Sequence, residues 1–150
     1  MISRTREYVS PYAVTILRIV IGLIFLLMGL GKFQNAAGAI GFPAGFITTV
    51  GSLGFPVPGL LAWLPLILEP IGGLLLVLGI GTRWLAAYFF LEMVITTIFV
   101  KALRGTLFIQ PRGAGVGYEL DLLLAAGCLV LAAMGSTHIS IEKNVLKREL

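Results

Sequence analysis

Long apolar stretches, broken only by a few isolated charges, decide what this chain can become. Four of them, at about 13–31, 60–80, 84–103 and 118–136, are apolar enough to cross a bilayer. A hydrocarbon core about 30 Å thick takes about 20 helical residues at about 1.5 Å rise each. Charged residues make up only 12% of the chain and hydrophobic ones 58%, with a mean hydropathy of +1.01. A water-soluble domain carries about 25% charge. So little charge cannot clothe a surface in water, and the chain reads as an all-α polytopic membrane protein. One domain over residues 1–150 is expected, an antiparallel four-helix transmembrane bundle in a lipid bilayer.

The connections fit that plan. Ser10-Pro11 reads as an N-cap followed by a first-turn proline, so helix 1 is expected from about 13 to 31. Arg4, Arg6 and the apolar run imitate a secretory leader, but Arg18 breaks the run, and the segment reads as a membrane span. Between the first two spans lie Gly38, Gly41, Gly45, Gly51, Gly54 and Gly59 with Pro43, Pro56 and Pro58. That density of glycine and proline opposes a continuous span. Phe42, Phe46, Ile47 and Phe55 keep the link apolar, so an interfacial or re-entrant segment is expected there. Gly79-Ile80-Gly81-Thr82-Arg83 reads as a tight hairpin turn, with Thr82 capping the next helix.

Orientation follows from lysine and arginine placement. With both termini cytoplasmic in a plasma membrane, the inside holds Arg4, Arg6, Arg83, Lys143, Lys147 and Arg148. The outside then holds Lys32, Lys101, Arg104 and Arg112. The net charge of +4 gathers mainly at the ends, and no basic stripe is long enough to follow a nucleic-acid backbone. With Cys128 and His138 as the sole residues of their types, no internal disulfide or metal-ligand cluster is expected from this chain. Cys128 itself reads as a small core residue. Gly113–Gly117 resembles a phosphate loop only superficially, since no strand precedes it.

The charges inside the spans are the candidate chemistry. Arg18, Glu69 and Glu92 interrupt the first three spans, and Glu119 with Asp121 opens the fourth. Charge at mid-bilayer costs about 2.5–3.5 kcal/mol per residue on insertion scales, so it persists where it has a partner or a task. Helix rise puts Arg18 roughly 9 Å, Glu92 roughly 13 Å and Glu69 roughly 18 Å from the cytoplasmic boundary. Arg18 is therefore expected to bridge to Glu69 or Glu92, with one carboxyl keeping its proton. Arg18, Gly22, Phe25, Gly29 and Lys32 share one face of helix 1. Glu69, Gly72 and Gly73 share a face of helix 2, and Phe89 and Glu92 one of helix 3. Glycine on such faces admits either a neighbouring helix or a flat ligand. Pro70 frees the Leu66 carbonyl and bends the helix beside Glu69. Arg18, Glu69 and Glu92 are the expected proton-handling residues. Phe25, Gly29, Trp63, Gly72, Gly73, Phe89 and Glu119 are the expected ligand-binding ones, with Phe90 along the same slot.

This pattern resembles the DoxX family of small four-helix membrane proteins. The matching pieces are Leu17-Arg18 with Gly22, Phe25, Gly29, Lys32 and Phe33; Gly54-Phe55-Pro56; Glu69-Pro70-Ile71-Gly72-Gly73-Leu74; Gly79-Ile80-Gly81-Thr82-Arg83; Met93; and Tyr118-Glu119-Leu120. The family's Gly-Arg-Tyr/Trp-Ser-type ending is replaced by Gly135-Ser136-Thr137-His138-Ile139-Ser140. The resemblance implies a link to redox metabolism, the family name coming from a subunit of a thiosulfate:quinone oxidoreductase. The leading expectation is thus a membrane subunit of a redox system that binds quinone without a covalent cofactor. Electrons would come from a protein partner or directly from substrate. One alternative is a non-catalytic accessory, anchor or assembly subunit with structural ion pairs. Another is a small transporter or lipid-handling protein. Gly72-Gly73 and Ala125-Ala126-Gly127 are candidate surfaces for a homo-oligomer.

Overall fold

In the computed structural model, residues 2–34, 41–113, 115–136 and 139–144 are described. Helix α1 runs Ile2–Gly31, α2 Ala44–Ser52, α3 Pro58–Leu78, α4 Thr82–Ile95, α5 Glu119–Met134 and α6 Ile141–Asn144. No strand forms among the described residues. Among the described residues, three helices meet the length and apolarity needed to cross a membrane, over Tyr12–Gly31, Pro58–Leu78 and Thr82–Arg104. The expected fourth span at 118–136 is a 16-residue helix, about 24 Å long against a core of about 30 Å.

Several boundaries differ from expectation for identifiable reasons. Helix α1 begins at Ile2 and passes through Pro11 instead of starting after Ser10. A proline removes only the bond to the carbonyl four residues back, and outside the apolar stretch water can satisfy that carbonyl. The expected irregular link contains a nine-residue helix, α2. Residues 35–40 of that link, with Gly38, lie outside the described residues. Thr82 is the first helical residue of α4; the capping position belongs to Gly81. Gly79 at φ 73 and Gly81 at φ 62 take the left-handed conformation that the reversal between α3 and α4 demands. Beyond Ile95, α4 continues as a π turn over Thr96–Lys101 and a 3₁₀ turn over Ala102–Arg104.

Helix α1 packs along α3 and α4 along α5, with lighter contacts between α1 and α5 and between α3 and α4. The α1–α3 seam is close because glycine lines it. A β-carbon on Gly22 would lie 2.8 Å from the Gly73 carbonyl oxygen; one on Gly73 would lie 2.5 Å from the Leu26 nitrogen. Farther along, one on Gly29 would lie 2.6 Å from the Pro70 nitrogen. The α3 number falls as the α1 number rises, so the two run antiparallel. Helix α1 stops two residues past Gly29, while α3 extends another eleven residues beyond Glu69 toward its start at Pro58. Helix α2 packs on α3.

The core consists of Val14, Ile21, Phe25, Leu76, Ala86, Phe89, Met93, Leu124, Ala125, Cys128 and Leu131. Large apolar side chains nevertheless point outward all round: Leu23 and Leu27 on α1, Ile67, Ile71 and Leu74 on α3, Trp84 and Leu91 on α4, Leu123 and Leu129 on α5. Only 39%, 33% and 22% of the three apolar windows is buried. An apolar exterior over helices of this length suits lipid, not water.

Candidate functional site

The polar centre of the molecule forms where the end of α1 meets the middles of α3 and α4. Glu69 sits halfway along α3 and is 1% exposed. Glu92 lies about as far beyond the α3–α4 turn as Glu69 lies before it, so the two side chains arrive at one level. Glu92 is within hydrogen-bonding reach of both Glu69 and Tyr88, the residue one turn earlier on α4. Lys32, just past the last turn of α1, donates from Nζ to Glu69 Oε1. Gly29 makes that reach possible, since its missing side chain lets α1 lie on the Glu69–Pro70 backbone.

Two carboxyl groups therefore share one ammonium in the interior. The Lys32 side chain is 19% exposed, and its Nζ lies 4.8 Å from the centre of the Phe46 ring on α2. Helix α2 thus supplies a wall of the site as well as a cation–π partner. One oxygen on each carboxyl, Oε2 of Glu69 and Oε2 of Glu92, is buried without a hydrogen-bond partner among the described residues. Cys128 on α5 is buried within electrostatic range of Glu92. Unpaired buried oxygens in a low-dielectric interior are costly, by about 1–3 kcal/mol each, unless water or a ligand meets them.

Arg18 does not join this cluster. The expectation that it bridges to Glu69 or Glu92 is corrected: it is buried beside Gly79, donates from Nη2 to the Ile139 carbonyl at 2.5 Å, and interacts electrostatically with Glu142. It lies level with the turn between α3 and α4, so α1 projects well past the other helices before Arg18 is reached. The depth of roughly 9 Å expected from helix rise therefore sets it too far inside. Lys32 is fourteen positions on from Arg18, about 21 Å along the helix.

The residues expected to hold a ligand separate into distinct places. Phe25 and Phe89 stack face to face at 3.8 Å and 8° and are fully buried, so they close the interior against each other. Gly29 and Gly73 lie in the α1–α3 seam, and Gly72 sits under the Phe89 ring. Phe90 is partly buried against the same core. Trp63 is 38% exposed and meets Phe42 edge-on. Glu119 lies at the far end of α5, nine residues and about 13 Å from Cys128. It tucks against Gly117 and leaves its buried Oε2 unpaired among the described residues. Asp121 turns inward instead, 3% exposed, and pairs with Lys101 at 2.9 Å. Lys101 also donates to the Gly117 carbonyl at 2.9 Å.

Two site members escaped sequence reasoning. Lys32 shares the Arg18–Gly29 face, but the sequence uses it only as an outside charge and gives it no carboxyl partner. Tyr88 precedes Glu92 by four residues, a spacing that puts both on one face.

The protein-family profile described as DoxX matches residues 13–102. Among relatives, Bacillus subtilis (strain 168) CatD, whose name provisionally calls it an oxidoreductase, is 32% identical over 132 residues, covering 88% of this chain and 86% of its own length. Inner membrane protein YphA of Escherichia coli K12 is 29% identical over 139 residues, covering 89% and 91%. No solved structure matches. The profile match contains Lys32, Glu69, Tyr88 and Glu92, every polar member of the central cluster. This membrane protein belongs to the DoxX family.

Proposed function

We propose that this chain is a membrane subunit of a redox system and that the Glu69–Glu92 pair, held by Lys32, gives and takes protons for a quinone-type carrier. The observation that carries this reading is the meeting of a buried carboxyl group, Glu69, and a half-buried one, Glu92, over one ammonium. Two such groups in contact resist double ionisation, so the pair holds one proton between them. A quinone presents two carbonyl oxygens on a flat apolar ring. It needs an apolar wall, a cation or donor at a carbonyl, and a proton source. Phe46 and Lys32 fit the first two requirements at an edge of the site that is partly exposed. The unpaired carboxyl oxygens fit the third. When bound, the quinone supplies the electron-accepting chemistry. The chain's own part is to orient it through Lys32 Nζ and to hold a proton on Glu69 or Glu92. The oxidoreductase wording in the name of CatD supports the redox setting.

The proposed membrane arrangement has four antiparallel spans, with α5 as a short fourth and α2 as the re-entrant segment. Both termini then face the cytoplasm, in keeping with the distribution of lysine and arginine. Electrons reach the site from a partner protein or from substrate.

A second reading is a non-catalytic membrane module, favoured by the closed Phe25–Phe89 stack and by the neutralising Lys32–Glu69 pair. Thermal melting of the detergent-purified protein with and without decylubiquinone separates the two. The redox reading expects the melting temperature to rise by several degrees, with the rise absent in Glu69→Gln and Glu92→Gln. No co-purifying quinone and no rise in the parent protein would leave the module reading standing.

A further inference from the structure

The Lys32–Phe46 edge gives a ligand access to the carboxyl pair, but protons need their own way in if the ligand blocks that edge. The seam between α4 and α5 holds the parts for one. In an unbroken α-helix Glu92 and Lys101, nine residues apart, point to opposite sides, since each residue turns about 100°. The π turn over Thr96–Lys101 takes in extra residue length and returns about 100° of that rotation. It brings Thr97 into the interior, 7% exposed, and Lys101 onto Asp121 of α5. Asp121, Ala125 and Cys128 lie on the buried face of α5, and Cys128 is at the level of Glu92. From Glu92 outward the seam thus carries Thr97, then Lys101 with Asp121, then Gly117 and Glu119 at its mouth. Glu92 Oε2, Thr97 Oγ1 and Glu119 Oε2 are buried and without hydrogen-bond partners among the described residues. Buried oxygens in that state are groups that an internal water would satisfy.

We infer that the π turn of α4 and the first two turns of α5 form a proton route joining the Glu69–Glu92 pair to the end of the protein at Gly117–Glu119, with the Thr97 hydroxyl and the Asp121–Lys101 pair as its intermediate stations. This rests on the proton-sharing reading of the carboxyl pair. A proton entering beside Glu119 passes through water to an Asp121 oxygen. The Thr97 hydroxyl accepts one proton while donating its own, and so ends unchanged. The Glu92 carboxylate becomes the acid, and no net charge is left along the way.

The test is hydrogen–deuterium exchange of the protonated carboxyl, followed by its infrared carbonyl band, in the detergent-purified protein saturated with decylubiquinone to close the Lys32–Phe46 edge and then moved into D2O. Loss of the band in Glu92→Gln or Glu69→Gln assigns it to the pair. Thr97→Val and Asp121→Asn are expected to slow the exchange at least tenfold, while Thr82→Val at the opposite end leaves it unchanged. Thr97→Val keeps the side-chain shape and removes an unpaired buried hydroxyl, so its melting temperature should hold or rise. Slowed exchange without lost stability is therefore an effect on the route. Unchanged exchange in both Thr97→Val and Asp121→Asn overturns the route and leaves the shared proton standing. Absence of the band from the parent protein overturns the proton-sharing reading and the route with it.

Discussion

Taking away the Lys32 ammonium would strand a carboxylate that is 1% exposed. Breaking one side of a buried ion pair costs about 3–5 kcal/mol, because the remaining charge keeps its desolvation penalty. Lys32→Met is therefore expected to lower stability by about 3 kcal/mol. Adding Glu69→Gln should return a large part of it, since the amide needs no counter-charge. A double-mutant cycle from detergent melts should show coupling of about 2 kcal/mol; strictly additive losses would mean that the two groups act separately. Glu69 and Glu92 could be singled out from the sequence because charge inside an apolar run is visible without coordinates. Lys32 and Tyr88 could not be assigned the same way. Their roles depend on which helix ends reach which midpoints.

At the level of the helix pair, glycine decides how near α1 comes to α3. Gly29 abuts Pro70 and Glu69, whereas a β-carbon on Gly31, two residues on, would meet nothing within 4 Å. Gly29→Ala is thus expected to cost about 1–3 kcal/mol through overpacking, and Gly31→Ala to stay within about 0.5 kcal/mol. Equal melting temperatures for the two variants would contradict the seam. Moving α1 away also withdraws Lys32 from Glu69, so Gly29→Ala should weaken any quinone-induced stabilisation as well. The glycine pattern was legible as permission for close approach, but whether a helix or a ligand used it was not. The π turn left no comparable mark, since Thr96-Thr97-Ile98 is compatible with ordinary helix.

Across the whole molecule, α1 and the segment that follows α5 are tied together at one pole. Arg18 and Ile139, 121 positions apart, are joined by a hydrogen bond, and the Glu142 nitrogen donates to the Gly79 carbonyl at 3.3 Å. Glu142 is itself 1% exposed, so the described segment after α5 is part of the packed structure. Glu142→Ala should cost about 3–5 kcal/mol by leaving the Arg18 guanidinium buried without its counter-charge. Coupling it with Arg18→Leu should reduce the loss. A melting temperature unaffected by Glu142→Ala would show that this segment contributes no fold stability. What the amino-acid order settled alone is the solvent: runs too apolar for water, interrupted by charges too costly to be accidental, define a helical membrane protein whatever its packing. Which charges meet was left to tertiary structure. A helix's face and length are local properties, but its depth against a neighbour depends on where the glycine seams let the backbones touch. That register sent Arg18 to the segment after α5 and set Lys32 beside the two carboxyl groups.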